Sequence, residues 1–277
     1  MSDSFVSTKA KPQPLTNKAL GQHWLNDADS LQAMLTGADI GPQDTVLEIG
    51  PGPGALTQLL VKAAKQVVAV EFDAGLARGL PARVPAKNLR VVQQDILQFN
   101  LNTLPAGYKV VANIPYYLTS KLIRVLCESQ NPFSKATLLI QKEVAERVCA
   151  KPGDMSLLSV SAQFYCETGL GPIVPAELFT PPPKVDSQIL QLTMRTAPLF
   201  ENVDTKLFFR VVKAGFAQRR KTLLNSLGAG LQIPREAAVQ LLENADINPG
   251  TRAQNLSLTE WHNLYVAWHD KGNLALK

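Results

Sequence analysis

One stretch narrows the possible folds more than any other. Val46-Leu47-Glu48-Ile49 runs straight into Gly50-Pro51-Gly52-Pro53-Gly54 and then into Ala55-Leu56-Thr57-Gln58-Leu59-Leu60-Val61. The first part is a short apolar run, read as a buried strand, and the last carries apolar residues at helical spacing. A glycine loop therefore joins a strand to a helix. Glycines at such a turn let the backbone come close to a ligand, and the helix N-terminus offers free N–H groups to an anion. The pattern is G-x-G-x-G, not the G-x-G-x-x-G of dinucleotide enzymes, and no Gly-Lys-Ser/Thr follows to cradle a nucleoside triphosphate. A tight strand–helix turn with no ligand is the plainer alternative.

The strands that follow end in the same way. Gln66-Val67-Val68-Ala69-Val70 ends at Glu71, 21 residues past Gly50, where an acid is placed to accept from ribose hydroxyls. Leu89-Arg90-Val91-Val92-Gln93-Gln94 ends at Asp95, and Lys109-Val110-Val111-Ala112 ends at Asn113-Ile114-Pro115-Tyr116. Gly50, Glu71, Asp95 and Asn113 thus each stand just past the carboxyl end of a strand. In an open parallel sheet those ends line one crevice, where ligands bind. Singly, Glu71 and Asp95 read as solvated loop acids and Asn-x-Pro as an ordinary turn; four successive strands ending this way do not. The Asn113 amide oxygen and the Ile114 carbonyl supply two acceptors, and Tyr116 a stacking face. Together they suit an exocyclic amino group on a flat base. Pro115 fixes its own φ and restricts Ile114 to extended conformations, which holds that carbonyl in place.

The chain has 277 residues, 45% of them hydrophobic, enough for one large and one small domain. A net charge of +5 permits nucleic-acid binding. Cys127, Cys149 and Cys166 have neither metal spacing nor a disulfide framework, so they read as reduced thiols of a cytoplasmic protein. His23, His262 and His269 are too scattered for zinc, and no metal is expected. No long apolar span marks a membrane helix and no secretory segment follows Met1, so no membrane partner is expected. Residues 1–17, rich in Ser, Thr, Lys and Pro, are expected to be a disordered tail. Residues 136–141 read as a fifth strand, 142–150 as a helix, and 186–194 as an antiparallel strand with one wet face. The Pro198 region closes this domain at 18–200. From 201 to 277 the pattern is helical only, with Asp204 as an N-cap, Gly228 as a stop, and further helices over 235–244 and 259–270. That part is small for independent stability and should pack on the first. Lys206, Arg210, Lys213, Arg219, Arg220 and Lys221 follow one another with no acid between. Ordinary exposed helices mix signs, so this run reads as an RNA-phosphate contact, with a solvated face as the alternative. Lys142, Arg147, Lys184 and Arg252 are further candidates.

The glycine loop, Glu71, Asp95 and Asn113-Ile114-Pro115-Tyr116 resemble the ordered motifs of class I S-adenosylmethionine-dependent methyltransferases acting on amino nitrogens. Leu20-Gly21-Gln22-His23-Trp24-Leu25 is similar to the Gly-Gln-Asn-Phe-Leu segment of the ribosomal RNA adenine dimethyltransferases. Phe179-Thr180-Pro181-Pro182-Pro183-Lys184-Val185-Asp186-Ser187 resembles that family's proline-rich loop, and Phe216-Ala217-Gln218-Arg219-Arg220-Lys221-Thr222-Leu223 its C-terminal helix. His23 and Trp24 stand where the family usually has Asn and Phe. The resemblance implies an α/β fold, a Rossmann-like, mostly parallel sheet followed by a small all-helical domain that binds rRNA. It implies S-adenosyl-L-methionine held by His23, Leu25, Gly50, Gly52, Gly54, Glu71, Asp95, Ile96 and Asn113. It implies catalysis by Asn113, Ile114, Pro115 and Tyr116, with Phe179 as the opposite stacking face; for Phe179 a plain core aromatic is the competing reading. The small-subunit branch of the family implies a monomer that dimethylates N6 of two adjacent adenosines near the 3′ end of 16S rRNA in an immature 30S particle.

Two other functions fit parts of the chain. An NAD-dependent dehydrogenase would leave Asn113-Ile114-Pro115-Tyr116 without a role. A non-catalytic RNA-binding assembly factor on a methyltransferase fold would use the basic run but not the tetrapeptide.

Overall fold

The computed structural model describes residues 21–218 and 220–274. The expected disordered tail, Leu20 and Arg219 lie outside them. Among the described residues nine strands form two sheets. β1 (Trp24–Leu25) pairs antiparallel with β8 (Phe179–Thr180). The other seven are β2 (Thr45–Ile49), β3 (Gln66–Glu71), β4 (Leu89–Gln93), β5 (Lys109–Asn113), β6 (Lys135–Gln141), β7 (Cys166–Val174) and β9 (Ser187–Met194). They lie in the order β4-β3-β2-β5-β6-β9-β7. The first five are mutually parallel, and β9 is antiparallel to both β6 and β7. The architecture is α/β, with a mostly parallel sheet as expected.

The central strands are near-continuous Val, Leu and Ile runs because both of their faces are covered. Alternate residues go to opposite sides. Leu47, Val68, Val110 and Leu138 share one core with Leu122, Ile123 and Leu126 of α4 (Thr119–Cys127) and Val144 of α5 (Lys142–Val148). Val46, Val67, Val111 and Leu139 share the other with Leu31 and Met34 of α1 (Ala28–Ala38) and Leu56 and Leu60 of α2 (Ala55–Ala63). Asp27 caps α1 by accepting from Ser30 N–H at 2.8 Å, and Asp73 caps α3 (Ala74–Arg83) in the same way. The expectation of a wet face on the last strand holds only towards its end, where Gln191 is half-buried and Thr193 exposed. Ser187 through Leu190 are all buried, because β7 flanks β9 and α1 lies over it.

Beyond the sheet the chain is helical: α7 (Thr205–Phe216), α8 (Leu223–Leu231), α9 (Arg235–Asn244) and α10 (Leu258–Leu274). Asp204 does cap α7, accepting from Leu207 N–H at 3.0 Å. Gly228 is not the stop. α7 ends at Phe216, the chain turns with Lys221 N–H donating to Gln218 O at 2.9 Å, and Gly228 falls inside α8. The turn folds α8 back on α7 so tightly that a β-carbon on Gly230 would lie 2.7 Å from Ala214 Cα. These helices share a core with Met155, Val160 and Phe164, the last two from α6 (Leu157–Tyr165). The Phe164 ring sits 4.7 Å from that of Phe208.

Candidate active site

The sheet order reverses between β2 and β5, and ligands in open α/β folds bind outside the strand ends at such a point. A cavity of about 440 Å³ lies there. Gly50, Glu71, Asp95 and Asn113 all line it, together with His23, Leu25, Ile96, Ile114, Pro115, Tyr116 and Phe179. The strand ends and two of the distant segments, those of His23 and Phe179, therefore converge, whereas residues 216–223 do not reach the cavity.

Gly52 and Gly54 do not line the cavity. Both have positive φ, but each is glycine because something else occupies the space of a side chain. A β-carbon on Gly52 would stand 2.7 Å from Trp24 Cζ3; one on Gly54 would stand 2.7 Å from Leu80 Cδ1 and 2.9 Å from Val84 Cγ2. The bulky Trp24 thus uses the gap that Gly52 leaves. The loop is held from both sides. Glu71 accepts from Gly52 N–H at 3.1 Å and from Asp73 N–H at 2.9 Å. Arg83 donates to Pro53 O at 3.0 Å and to Gly52 O at 3.3 Å. Burial pushes the Glu71 carboxyl up, against the opposing pull of those backbone donors.

Asn113 Nδ2 donates to the His23 backbone carbonyl at 3.2 Å. His23 has a second contact through its ring, with Nδ1 2.7 Å from Pro181 O, and its ring stacks near Tyr116 at 6.0 Å between centroids. The Tyr116 hydroxyl is hydrogen-bonded to buried Ser187 at 3.1 Å. Phe179 is only 3% exposed, pairs with Leu25 across the two-stranded sheet, and packs in the core with Leu31 and Leu139. Its core role is thus real even though one side reaches the cavity. Asp95 caps the short turn that follows, accepting from Leu97 N–H at 2.9 Å.

Glu48, which the motif reading passed over, lies on β2 and lines the same cavity. It is 1% exposed and neither carboxylate oxygen has a hydrogen-bond partner. Burial, opposed by the Thr57 hydroxyl and reinforced by the Glu71 charge, pushes its carboxyl up to about 8. A single acid inside an otherwise apolar central strand was the available signal. Phe72 and Tyr117, at 58% and 69% exposure, are large aromatics at the cavity edge that the motifs also left out.

The basic residues do not form one helix. Lys206, Arg210 and Lys213 are exposed on α7, while Arg220 and Lys221 are exposed in the turn before α8. Arg219 lies outside the described residues. Lys184 and Arg252 are exposed in loops. Lys142 and Arg147 on α5 lie 4.0 Å from Glu146 and Glu143, so they are partly paired along their own helix. Among the described residues no helix is long and apolar enough to cross a membrane, and no cluster of His, Cys, Asp and Glu could hold a metal ion.

Comparison with known proteins agrees with this geometry. Residues 14–270 match the family model described as ribosomal RNA adenine dimethylase. The chain is 41% identical over 259 residues to a ribosomal RNA small subunit methyltransferase A of Dehalococcoides mccartyi, covering 91% of this chain and 88% of that one. It is 39% identical to the protein of that name from Streptococcus thermophilus, covering 92% of each. Among solved structures, a dimethyladenosine transferase from Plasmodium falciparum superposes with a TM-score of 0.80 at 28% identity, covering 90% of this chain and 98% of that one. The 23S rRNA methyltransferase ErmE gives 0.70 at 29% identity, covering 88% and 98%. A methyltransferase sheet, an Asn-Ile-Pro-Tyr strand end in its crevice and a match along nearly the whole length lead to one assignment: this chain belongs to the ribosomal RNA adenine dimethylase family.

Proposed function

We propose that this protein transfers methyl groups from S-adenosyl-L-methionine to N6 of two adjacent adenosines near the 3′ end of 16S rRNA. It acts on an immature 30S particle, as a monomer, in the cytoplasm. The observation that carries this reading is the Asn113 amide. Its NH2 is taken by the His23 carbonyl, which leaves Oδ1 to accept a hydrogen from an adenine amino group. The Ile114 carbonyl accepts the other, and Tyr116 supplies the stacking face. Adenine N6 is a poor nucleophile because its lone pair is delocalised into the ring. Two acceptors on its hydrogens favour a pyramidal nitrogen whose lone pair is available, so positioning and electrostatics do most of the catalysis. After the first transfer one N6 hydrogen remains, and the same site must take the monomethyl base.

The cavity residues suit the methyl donor. S-adenosylmethionine supplies an electrophilic methyl group on a positively charged sulfur, and it carries an amino group besides. Glu48 is a buried acid with only the Thr57 hydroxyl near enough to oppose its burial and no hydrogen bond of good geometry among the described residues, and a cationic ligand would satisfy it. Glu71 and Asp95 stand at adjacent strand ends to accept from ribose hydroxyls and an adenine amino group, with Gly50, Ile96, Leu25 and the His23 segment closing around them. The helices of 201–277 form the rRNA-binding domain in this reading, supported by the exposed cations of α7, of the turn at Arg220 and Lys221, and by Arg252, with Lys184, Lys142 and Arg147 on the catalytic domain. Primer extension across the 3′ end of 16S rRNA tests the function. Dimethyl-N6 blocks Watson–Crick pairing and stops the polymerase, so a strain lacking the gene should lose the stop and regain it on complementation. A stop that persists without the gene would overturn the proposal.

A further inference from the structure

Among the described residues, Tyr117 is the most exposed of the large hydrophobic side chains, at 69%. It nonetheless lines the cavity. It lies in the turn of 3₁₀-helix Tyr116–Leu118, where successive side chains point about 120° apart. Tyr116 turns inward, onto Ser187 and the His23 ring. Tyr117 consequently points to the mouth. Gly21, a residue with φ +60°, stands beside it: a β-carbon there would lie 3.8 Å from the ring's Cδ1, so the bare glycine leaves the space next to the ring open. A large, exposed aromatic beside a glycine at the rim of a binding cavity is an unused stacking surface.

We propose that Tyr117 is the stacking platform for the nucleotide next to the reacting adenosine. The inference rests on the adenine-methylation reading. A base that enters the cavity leaves its stack, and its neighbour loses one stacking partner in the same step. The Tyr117 ring replaces that partner at the mouth. Because the two target adenosines are adjacent, the base on Tyr117 is itself an adenine for one of the two reactions, a purine with a large face. Tyr116 and Tyr117 then divide the work: one ring serves the base undergoing methylation, the other the base beside it.

The test is a double-mutant cycle between protein and RNA. Small-subunit particles are reconstituted with 16S rRNA whose 3′ segment carries an abasic residue on one side of a target adenosine, on each side in turn. Single-turnover methylation is measured with the full-length protein. Tyr117→Ala should slow methylation of the intact particle roughly tenfold to a hundredfold, the worth of one base–aromatic stack. Tyr117→Phe should stay within about threefold of wild type, since the ring face and not the hydroxyl is used. S-adenosylmethionine affinity should be unchanged in both. With one of the two abasic particles, wild type should drop by a similar factor and Tyr117→Ala should drop no further. Losses that multiply on both particles, or a fully active Tyr117→Ala, would overturn the platform while leaving the enzyme's activity standing. A wild-type protein that methylates no intact particle would overturn the underlying activity, and the platform with it.

Discussion

The carbonyl oxygen of His23 can only accept, so the Asn113 amide beside it must present its NH2. That contact sets which atom of the amide is left for the substrate. Asn113→Ala is expected to lower the single-turnover methylation rate about 10²–10³-fold, as for loss of a preorganised polar catalytic group. Cofactor affinity, measured by calorimetry, should stay within about tenfold. A near-normal rate would remove Asn113 from the reacting nitrogen. Glu48 makes a different prediction, one that concerns pH. Its folded value of about 8 lies above the ordinary 4.5, so between those values the folded state keeps a proton that the unfolded chain releases. The associated stability is present at low pH and lost as pH rises through about 8, with a slope of up to about 1.4 kcal/mol per pH unit. Glu48→Gln should flatten the urea-midpoint profile from pH 5 to 8 and weaken S-adenosylmethionine binding. A wild-type profile that is already flat would show the carboxyl ionising freely.

Among the elements, the strand ends were legible because each depends on local pattern alone: a short segment rich in Val, Leu or Ala, then a polar residue. Glu71, Asp95 and Asn113 were found that way, and all three face one cavity. The glycines show where this stops. Gly50 lines the cavity, but the reasons for Gly52 and Gly54 lie in Trp24, Leu80 and Val84, which no local window joins to the loop. The break between α7 and α8 was illegible for a related reason. Gly215 lies inside the helix, where it makes room for Trp261, no Gly or Pro follows Phe216 to mark a stop, and the turn is set by α8 packing on Ala214. Its consequence is that Arg220 and Lys221 project from a turn rather than continuing the stripe of Lys206, Arg210 and Lys213. Replacing Arg219, Arg220 and Lys221 together should reduce the salt slope of RNA binding by about two units, at roughly 0.7 per single-strand phosphate contact. Cofactor affinity should not change. An unaltered slope from filter binding at several salt concentrations would return this turn to solvent.

At the scale of the whole molecule, α6 joins the two cores. Ala162 belongs to the core under the sheet, while Val160 and Phe164 belong to the core of the C-terminal helices. The sequence showed that the helical part would pack on the first domain, but not through which element, because α6 looks like any apolar helix. Removing residues 201–277 would strip the Phe208 and Phe209 rings from Phe164. The remaining chain is expected to bind a hydrophobic dye strongly and to lose its cooperative thermal transition; a sharply melting, dye-silent fragment would show the sheet domain to be self-sufficient. The small sheet of Trp24–Leu25 and Phe179–Thr180 has a consequence in time. Its strands are joined early to late in the chain, and at roughly 5–20 residues per second their synthesis is separated by on the order of ten to thirty seconds. In the later part of that interval a growing chain already has the strand ends that define the crevice, and its N-terminal segment has Asn113 and the Gly52 gap to meet but not yet its partner strand. Each new copy of an enzyme that modifies ribosomes therefore closes its cleft only once its own ribosome has passed Thr180, with the C-terminal helices still to be made.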